Sequence, residues 1–155
     1  GNDAGIVGAA TLAPATPREA ALKAGAAAAF DPADANARKQ IIAATKGGVF
    51  GVADYVGSDK SLNFGFGVLA KGGKVVVVGL IGGAFTTPVP MFPFKAVAIE
   101  GSMVGSLEET HEMLALAKTG KVAHVPIIDR PMTEAQASLD DLRAGRIVGR
   151  VMLAP

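Results

Sequence analysis

Gly72-Gly73-Lys74-Val75-Val76-Val77-Val78-Gly79-Leu80-Ile81-Gly82-Gly83 is the stretch that decides the fold. Val75 to Val78 form a continuous apolar run with no polar alternation. A half-buried strand alternates, whereas a strand covered by helices on both faces does not. Four β-branched residues in a row favour strand over helix. Glycines on both sides mark a tight entry and a tight exit. The stretch reads as a central strand of a parallel, helix-covered sheet, whose C-terminal end, Gly79-Leu80-Ile81-Gly82-Gly83, is where such sheets hold ligands. A buried strand followed by an ordinary glycine turn is the plainer alternative.

The flanking chain alternates between helix and strand patterns, which predicts an α/β protein with a parallel sheet and right-handed crossovers. Upstream, Ile6 to Leu12 reads as a short strand. Thr16-Pro17-Arg18-Glu19 carries a capping residue, a proline suited to the first helical turn and the acid of a capping box, so a helix runs through Leu22 to Gly25. Ala26 to Phe30 reads as another strand, ended by Asp31-Pro32. Asp34 is the expected cap of a helix bearing Ala37, Ile41, Ile42 and Ala44, stopped by Gly47-Gly48. Val49 to Val56 is the next strand and Gly57-Ser58-Asp59 a turn or helix start. A helix follows over Ser61 to Lys71, although Gly65 and Gly67 each cost about 1 kcal/mol relative to alanine there.

Downstream, Phe85 to Phe94 breaks the rhythm. Its three prolines exclude a helix and an interior strand, yet three phenylalanines make it apolar. It reads either as a subunit or domain contact, possible homodimer included, or as a loop folded onto its own domain. Lys95 to Ser102 is a strand. Ser106 and Glu109 form a capping box for a helix bearing Leu107, Leu114 and Ala117 and ending at Gly120. Val122 to Ile128 is a strand, Thr133 and Gln136 a third box for a helix through Leu139 and Leu142 to Gly145, and Ile147 to Leu153 the last strand. No internal repeat and no low-complexity tail interrupts this order.

Composition narrows the function classes. The chain has 155 residues, 50% hydrophobic and 19% charged, which is globular and long enough for a real core. A net charge of +1, no basic cluster and only 5% aromatics give no case for nucleic acid. With no cysteine, disulfides and thiolate metal sites are excluded, which fits a cytoplasmic protein. No apolar run has membrane-spanning length. Gly1-Asn2-Asp3-Ala4 lacks an initiator methionine and the basic start of a signal peptide, so the expectation is a chain processed, tagged or cut from something longer.

Several pieces together resemble one family. In order they are Arg18-Glu19-Ala20-Ala21-Leu22-Lys23-Ala24-Gly25-Ala26, Val52-Ala53-Asp54-Tyr55-Val56-Gly57-Ser58, Gly72 to Leu80, Ile99-Glu100-Gly101-Ser102-Met103-Val104-Gly105-Ser106, Leu142-Arg143-Ala144-Gly145 and Gly149-Arg150-Val151-Met152-Leu153. In this order they resemble the C-terminal half of zinc-dependent alcohol dehydrogenases, the medium-chain dehydrogenase/reductase family, over about Pro17 to Pro155. The resemblance implies a single Rossmann-type NAD(P)-binding domain over residues 1–155. In it, residues 1–16 are an atypical N-terminal segment and 146–155 a strand that returns to a catalytic domain absent here. By position, Val56 and Gly57 flank the adenosine side, and Val78, Gly79, Ser102 and Val104 present backbone to the nicotinamide. Leu80 and Met103 face the substrate pocket, and Arg150 reaches the pyrophosphate, which a guanidinium suits through paired hydrogen bonds. The plainer readings are turn glycines, core side chains at Leu80 and Met103, and a solvated strand-end charge at Arg150.

The departures from the family are as informative. The G-x-G-x-x-G fingerprint that opens a pyrophosphate-binding helix is missing, since no helix-forming segment follows Gly5-Ile6-Val7-Gly8 before Pro14. The sheet is therefore expected to lack its first βα unit. The acid that ends the second strand and binds the ribose is missing too, with Ala10 or Thr11 in that neighbourhood. No arginine replaces it, and NAD is slightly favoured over NADP. Zinc enters only through the absent catalytic domain. The two histidines, His111 on the solvent side of a helix or at its margin and His124 at a strand start, have no ligand partners at useful spacing. Tyr55 is followed four residues later by Asp59, not the lysine of the short-chain dehydrogenases. No nucleophile elbow or Walker lysine is present. Glu108 with Glu109, and Asp140 with Asp141, occupy helix positions typical of exposed faces. No catalytic or metal-binding residue is assigned.

Two functions follow. One is the cofactor-binding part of an NAD(P)-dependent alcohol dehydrogenase-like oxidoreductase, interconverting an alcohol and a carbonyl by hydride transfer and inactive alone. The other is a non-catalytic nucleotide-binding or protein-interaction module with a degenerate fold.

Overall fold

Val75 has no exposed surface and lies on the middle strand of a three-stranded parallel sheet, as the valine run predicts. The computed structural model describes residues 15–122 and 125–155. The expected strand over Ile6–Leu12 and the expected strand start at His124 lie outside them. In chain order the elements are α1 (Ala15–Lys23), α2 (Ala37–Ala44), β1 (Val49–Asp54), α3 (Asp59–Gly67), β2 (Leu69–Val77), α4 (Met91–Lys95) and β3 (Ala98–Gly101). Then come α5 (Leu107–Lys118), β4 (Ile127–Pro131), a 3₁₀ turn (Met132–Glu134), α6 (Ala135–Arg143) and β5 (Arg150–Ala154). The sheet order is β1-β2-β3, and β4 and β5 pair in a second, two-stranded parallel sheet.

The register sets one face against the core. Val52 pairs with Val75, and Val75 with Ile99. On that face Phe66, Leu69, Val75 and Val97 form the buried cluster, with Val49, Leu62, Val77, Phe85, Met91 and Phe92 packed against it. The Phe66 ring meets Phe85 edge-on at 5.4 Å and Phe92 at 5.6 Å, centroid to centroid. The other face differs from the expected helix-covered one. Ala53 is exposed there, and Lys74 and Glu100 form an exposed ion pair at 2.6 Å. The valine run is therefore buried on one side and half-buried on the other, because Val76 shares its face with these polar neighbours.

Several local expectations shift for identifiable reasons. Ala26–Phe30 is not a strand: an alanine run has weak strand preference, and no described strand pairs with it. Helix α2 is capped by Asn36 without a side-chain bond, while Asp34 Oδ1 instead accepts the Asn36 amide at 2.9 Å in a local turn. Helix α3 starts at Asp59 and ends at Gly67, not Lys71, because Leu69 to Lys71 join β2. Gly65 has a packing reason: a Cβ there would sit 2.9 Å from the Val52 side chain of β1. Phe85–Phe94 contains a helix after all, since Pro93 stands third in α4. The first N–H groups of a helix have no partner within it, so proline is tolerated there.

Strand β3 is shorter than Lys95–Ser102, and β4 begins at Ile127 and not Val122. Strand β5 begins at Arg150 and not Ile147. The Thr133–Gln136 box does not form, because the 3₁₀ turn delays the helix to Ala135 and Gln136 donates to Asp140 at 3.1 Å. The Ser106–Glu109 box does form.

Candidate functional site at the strand exits

The C-terminal ends of β1, β2 and β3 lie side by side, and the turn after β1 is held by one buried carboxylate. Strand β1 stops at Asp54, two residues before the expected Val56, because Asp54 turns the chain. Asp54 is 5% exposed, and its Oδ1 accepts the amides of Val56 and Gly57, each at 3.0 Å. Its Oδ2 accepts the Ser61 hydroxyl at 2.8 Å. Ser61 in turn closes a reciprocal capping box with Ser58, which opens α3. The Asp54 carbonyl accepts both the Val78 and Gly79 amides at 2.9 Å.

Beyond this point the β1 and β2 exits run in direct backbone contact. Gly57 adopts φ +65°, and a Cβ on it would be driven into the Gly79 carbonyl. A Cβ on Gly79 would collide with the Val56–Gly57 peptide. The Ile81 amide donates to the Val56 carbonyl at 3.2 Å and the Gly82 amide to the Gly57 carbonyl at 2.9 Å. Strand β3 joins the edge through the Ser102 amide, which donates to the Val77 carbonyl at 2.9 Å. A cleft of about 220 Å³ opens here, lined among others by Gly57, Ser58, Gly82, Gly83 and Phe85. That is below the ~300 Å³ at which small-ligand sites begin.

The structure thus brings Val56, Gly57, Val78, Gly79 and Ser102 to one edge, with Val104 two residues further along the chain from Ser102. Leu80 and Met103 are largely exposed beside them, which removes the core reading for both. Val104 is 84% exposed and holds φ +45°, a conformation costly for a β-branched residue. Arg150 is not on this edge. It is exposed at the start of β5, its amide bonded to the Pro126 carbonyl at 2.8 Å. A larger apolar cleft of about 310 Å³ lies against α6 and β5, lined by Leu139, Leu142, Ile147 and Arg150 among others. It lacks the convergent backbone turns of the strand exits.

Sequence reasoning passed over Asp54 and Ser61. The signal was an acid closing an apolar strand three residues before a glycine, with a serine one helical turn beyond. Asp141 also differs from its solvated expectation: it is half-buried and accepts Arg130 at 2.8 Å and Arg146 at 2.7 Å. The Arg146 hydrogen bond, then that of Arg130, holds its carboxyl below the usual range. His111 is exposed on α5, as expected.

The residues present fit one end of a dinucleotide and do not fit zinc. Small residues and paired backbone turns surround the cleft, and the helix that opens beside it, α3, is not preceded by a G-x-G-x-x-G turn. No group of three or more His, Cys, Asp or Glu side chains among the described residues is placed to hold a metal ion. No described helix is long and apolar enough to cross a membrane.

Comparison with known proteins places this geometry. Over 138 residues the chain is 33% identical to an NAD-dependent alcohol dehydrogenase of Sulfurisphaera tokodaii, covering 88% of this chain and 40% of that protein. It is 34% identical over 110 residues to the NAD-dependent alcohol dehydrogenase of Saccharolobus solfataricus, covering 70% of this chain and 31% of the relative. The crystal structure of the alcohol dehydrogenase from Aeropyrum pernix superposes with a TM-score of 0.83 at 30% identity, over 92% of this chain and 41% of that one. The chain thus spans about 40% or less of the length of these relatives. The parallel α/β architecture is Rossmann-like, as the resemblance implied. A family model described as zinc-binding dehydrogenase matches residues 5–119, and the chain belongs to the zinc-binding dehydrogenase family.

Proposed function

We propose that this chain is the cofactor-binding part of an NAD(P)-dependent alcohol dehydrogenase-like oxidoreductase of the cytoplasm. The observation that carries the reading is the common edge of three parallel strand exits, in the position where open α/β sheets bind nucleotides, within a chain of this family. Val56 and Gly57 border the adenosine side. The backbones of Val78, Gly79, Ser102 and Val104 line the nicotinamide, and the exposed side chains of Leu80 and Met103 form one wall for a small alcohol or carbonyl. When bound, the nicotinamide accepts or donates hydride. This chain's own part is to orient the ring and exclude water from one side. Arg150 reaches the pyrophosphate only if the β4–β5 sheet, with residues 146–155, docks beside the edge. Zinc and the proton relay would come from a catalytic domain of the family, and this part of the enzyme works only together with it. NAD is slightly favoured over NADP.

Titration of the chain with NADH and NADPH, followed by calorimetry, tests this. Saturable binding of either, weakened by Gly79→Val, is the expected result. A folded chain that binds neither at millimolar concentration would discard it.

A second reading has its own observation. In the 85–94 segment Phe85 and Phe92 pack inward, but Val89 and Phe94 are more than three-quarters exposed or close to it, at 78% and 75%. These two side chains suit a contact between two copies of the chain. Sedimentation velocity of the wild type and Phe94→Glu decides it: dimer formation lost in the variant supports the contact, and a monomeric wild type removes it.

A further inference from the structure

Asp54 is the buried charged side chain among the described residues, and hydride transfer makes no use of it. A buried carboxylate is tolerated only when hydrogen-bonded, and this one is bonded through both oxygens. Its partners belong to two different pieces of the edge, and a third is reached through one of them. Oδ1 holds the Val56 and Gly57 amides, which shape the β1 exit. Oδ2 holds Ser61 and through it the first turn of α3. The Gly57 carbonyl, oriented by that turn, accepts the Gly82 amide, and Ser58 bridges to Gly82 in parallel. The β2 exit therefore sits where the carboxylate sets it.

We propose that Asp54 is a positioning residue for the nucleotide edge: its carboxylate fixes the Val56–Gly57 turn and, through it, the placement of Gly79 to Gly82. The proposal rests on the nucleotide-binding reading above. Without the carboxylate the turn loses two acceptor bonds at once, and two exits in backbone contact cannot relax independently. The conservative amide retains the role. In Asp54→Asn, Oδ1 still accepts both amides, and the amide nitrogen donates to Ser61 while the Ser61 hydroxyl donates to the Ser58 carbonyl, now 3.2 Å away. Asp54→Glu keeps the charge but moves the oxygens out by one methylene, away from the two amides.

The test measures amide hydrogen exchange by NMR together with NADH and NADPH titration on the full chain. Asp54→Ala and Asp54→Glu are expected to lose exchange protection at Gly57, Gly79 and Gly82, keep it at Val75, and bind the nucleotide about ten- to a hundredfold more weakly, the scale of an ångström-level misplacement. Asp54→Asn is expected to restore both. Wild-type protection and affinity in Asp54→Ala, or in Asp54→Glu where the alanine variant does not fold, overturn the positioning role alone. A wild type that binds neither nucleotide overturns the nucleotide reading, and with it the role in binding.

Discussion

At the scale of single residues, the strand exits tolerate very little. Gly57 and Gly79 occupy each other's side-chain space, and Gly57 is also left-handed. Gly57→Ala therefore combines overpacking against immovable backbone with backbone strain, for about 2–4 kcal/mol of lost stability in urea titration. A loss below about 0.5 kcal/mol would mean the two turns are not in contact. Val104 presents the opposite case. It is exposed, so nothing is gained by its side chain, yet its left-handed backbone is strained. Val104→Asn, which accepts that conformation without adding backbone freedom, is expected to stabilise by about 1 kcal/mol. An unchanged or lower melting temperature would contradict it.

At the scale of elements, two helix starts that look alike in sequence behave differently. The Ser106 hydroxyl accepts the Glu109 amide at 3.1 Å, and Glu109 accepts the Ser106 amide at 2.7 Å. Ser106→Ala is expected to cost about 1 kcal/mol. Thr133→Ala is expected to change stability by less than about 0.5 kcal/mol, since the 3₁₀ turn leaves Thr133 outside any cap of α6. Equal losses in the two variants would refute the distinction. The β4–α6 unit also carries a pH signature. Asp141 is held below its ordinary value by Arg146 and Arg130. A depressed carboxyl contributes stability above its unfolded value of about 3.9 and loses it as pH falls through the lower, folded value. The melting-temperature gap between wild type and Asp141→Asn should accordingly be present at neutral pH and close on acidification below about pH 4. A gap that persists at the acid end would show that Asp141 acts by packing and not by charge.

At the scale of the whole molecule, the described sheet has one packed face and one open face. Phe50 of β1 is largely exposed, and the outer edges of β1 and β3 are unpaired among the described residues. Helix α5 presents Leu107, Met113, Leu114 and Leu116 to solvent as well. Exposed apolar surface and free strand edges drive association. The chain should therefore self-associate as its concentration rises, and Phe50→Glu should shift that onset to higher concentration. A monodisperse monomer across the whole series, melting cooperatively, would contradict this.

Much of this architecture is local information. The valine run specifies a central strand because four β-branched residues without polar alternation fit no other regular element, and the Ser106–Glu109 box specifies its helix through bonds within four residues. The glycines at the strand exits mark the candidate edge by themselves, since only a residue without a Cβ permits such close approach. What the sequence left open depends on distant partners. Whether Ala26–Phe30 becomes a strand depends on a neighbour to pair with. Whether Pro93 stands in a loop or a first helical turn depends on Phe85 and Phe92 packing onto Phe66. The valine run does not say that one sheet face stays open, because apolar side chains read the same with or without a covering layer. Asp54 is the clearest instance. As one acid among 14 it is marked only by its place at the end of an apolar strand before Gly57, and only the folding of β1, β2 and α3 around it converts a surface-type residue into a buried junction. Burial, and the hydrogen bonds that make burial tolerable, are properties of the assembled sheet and not of the string.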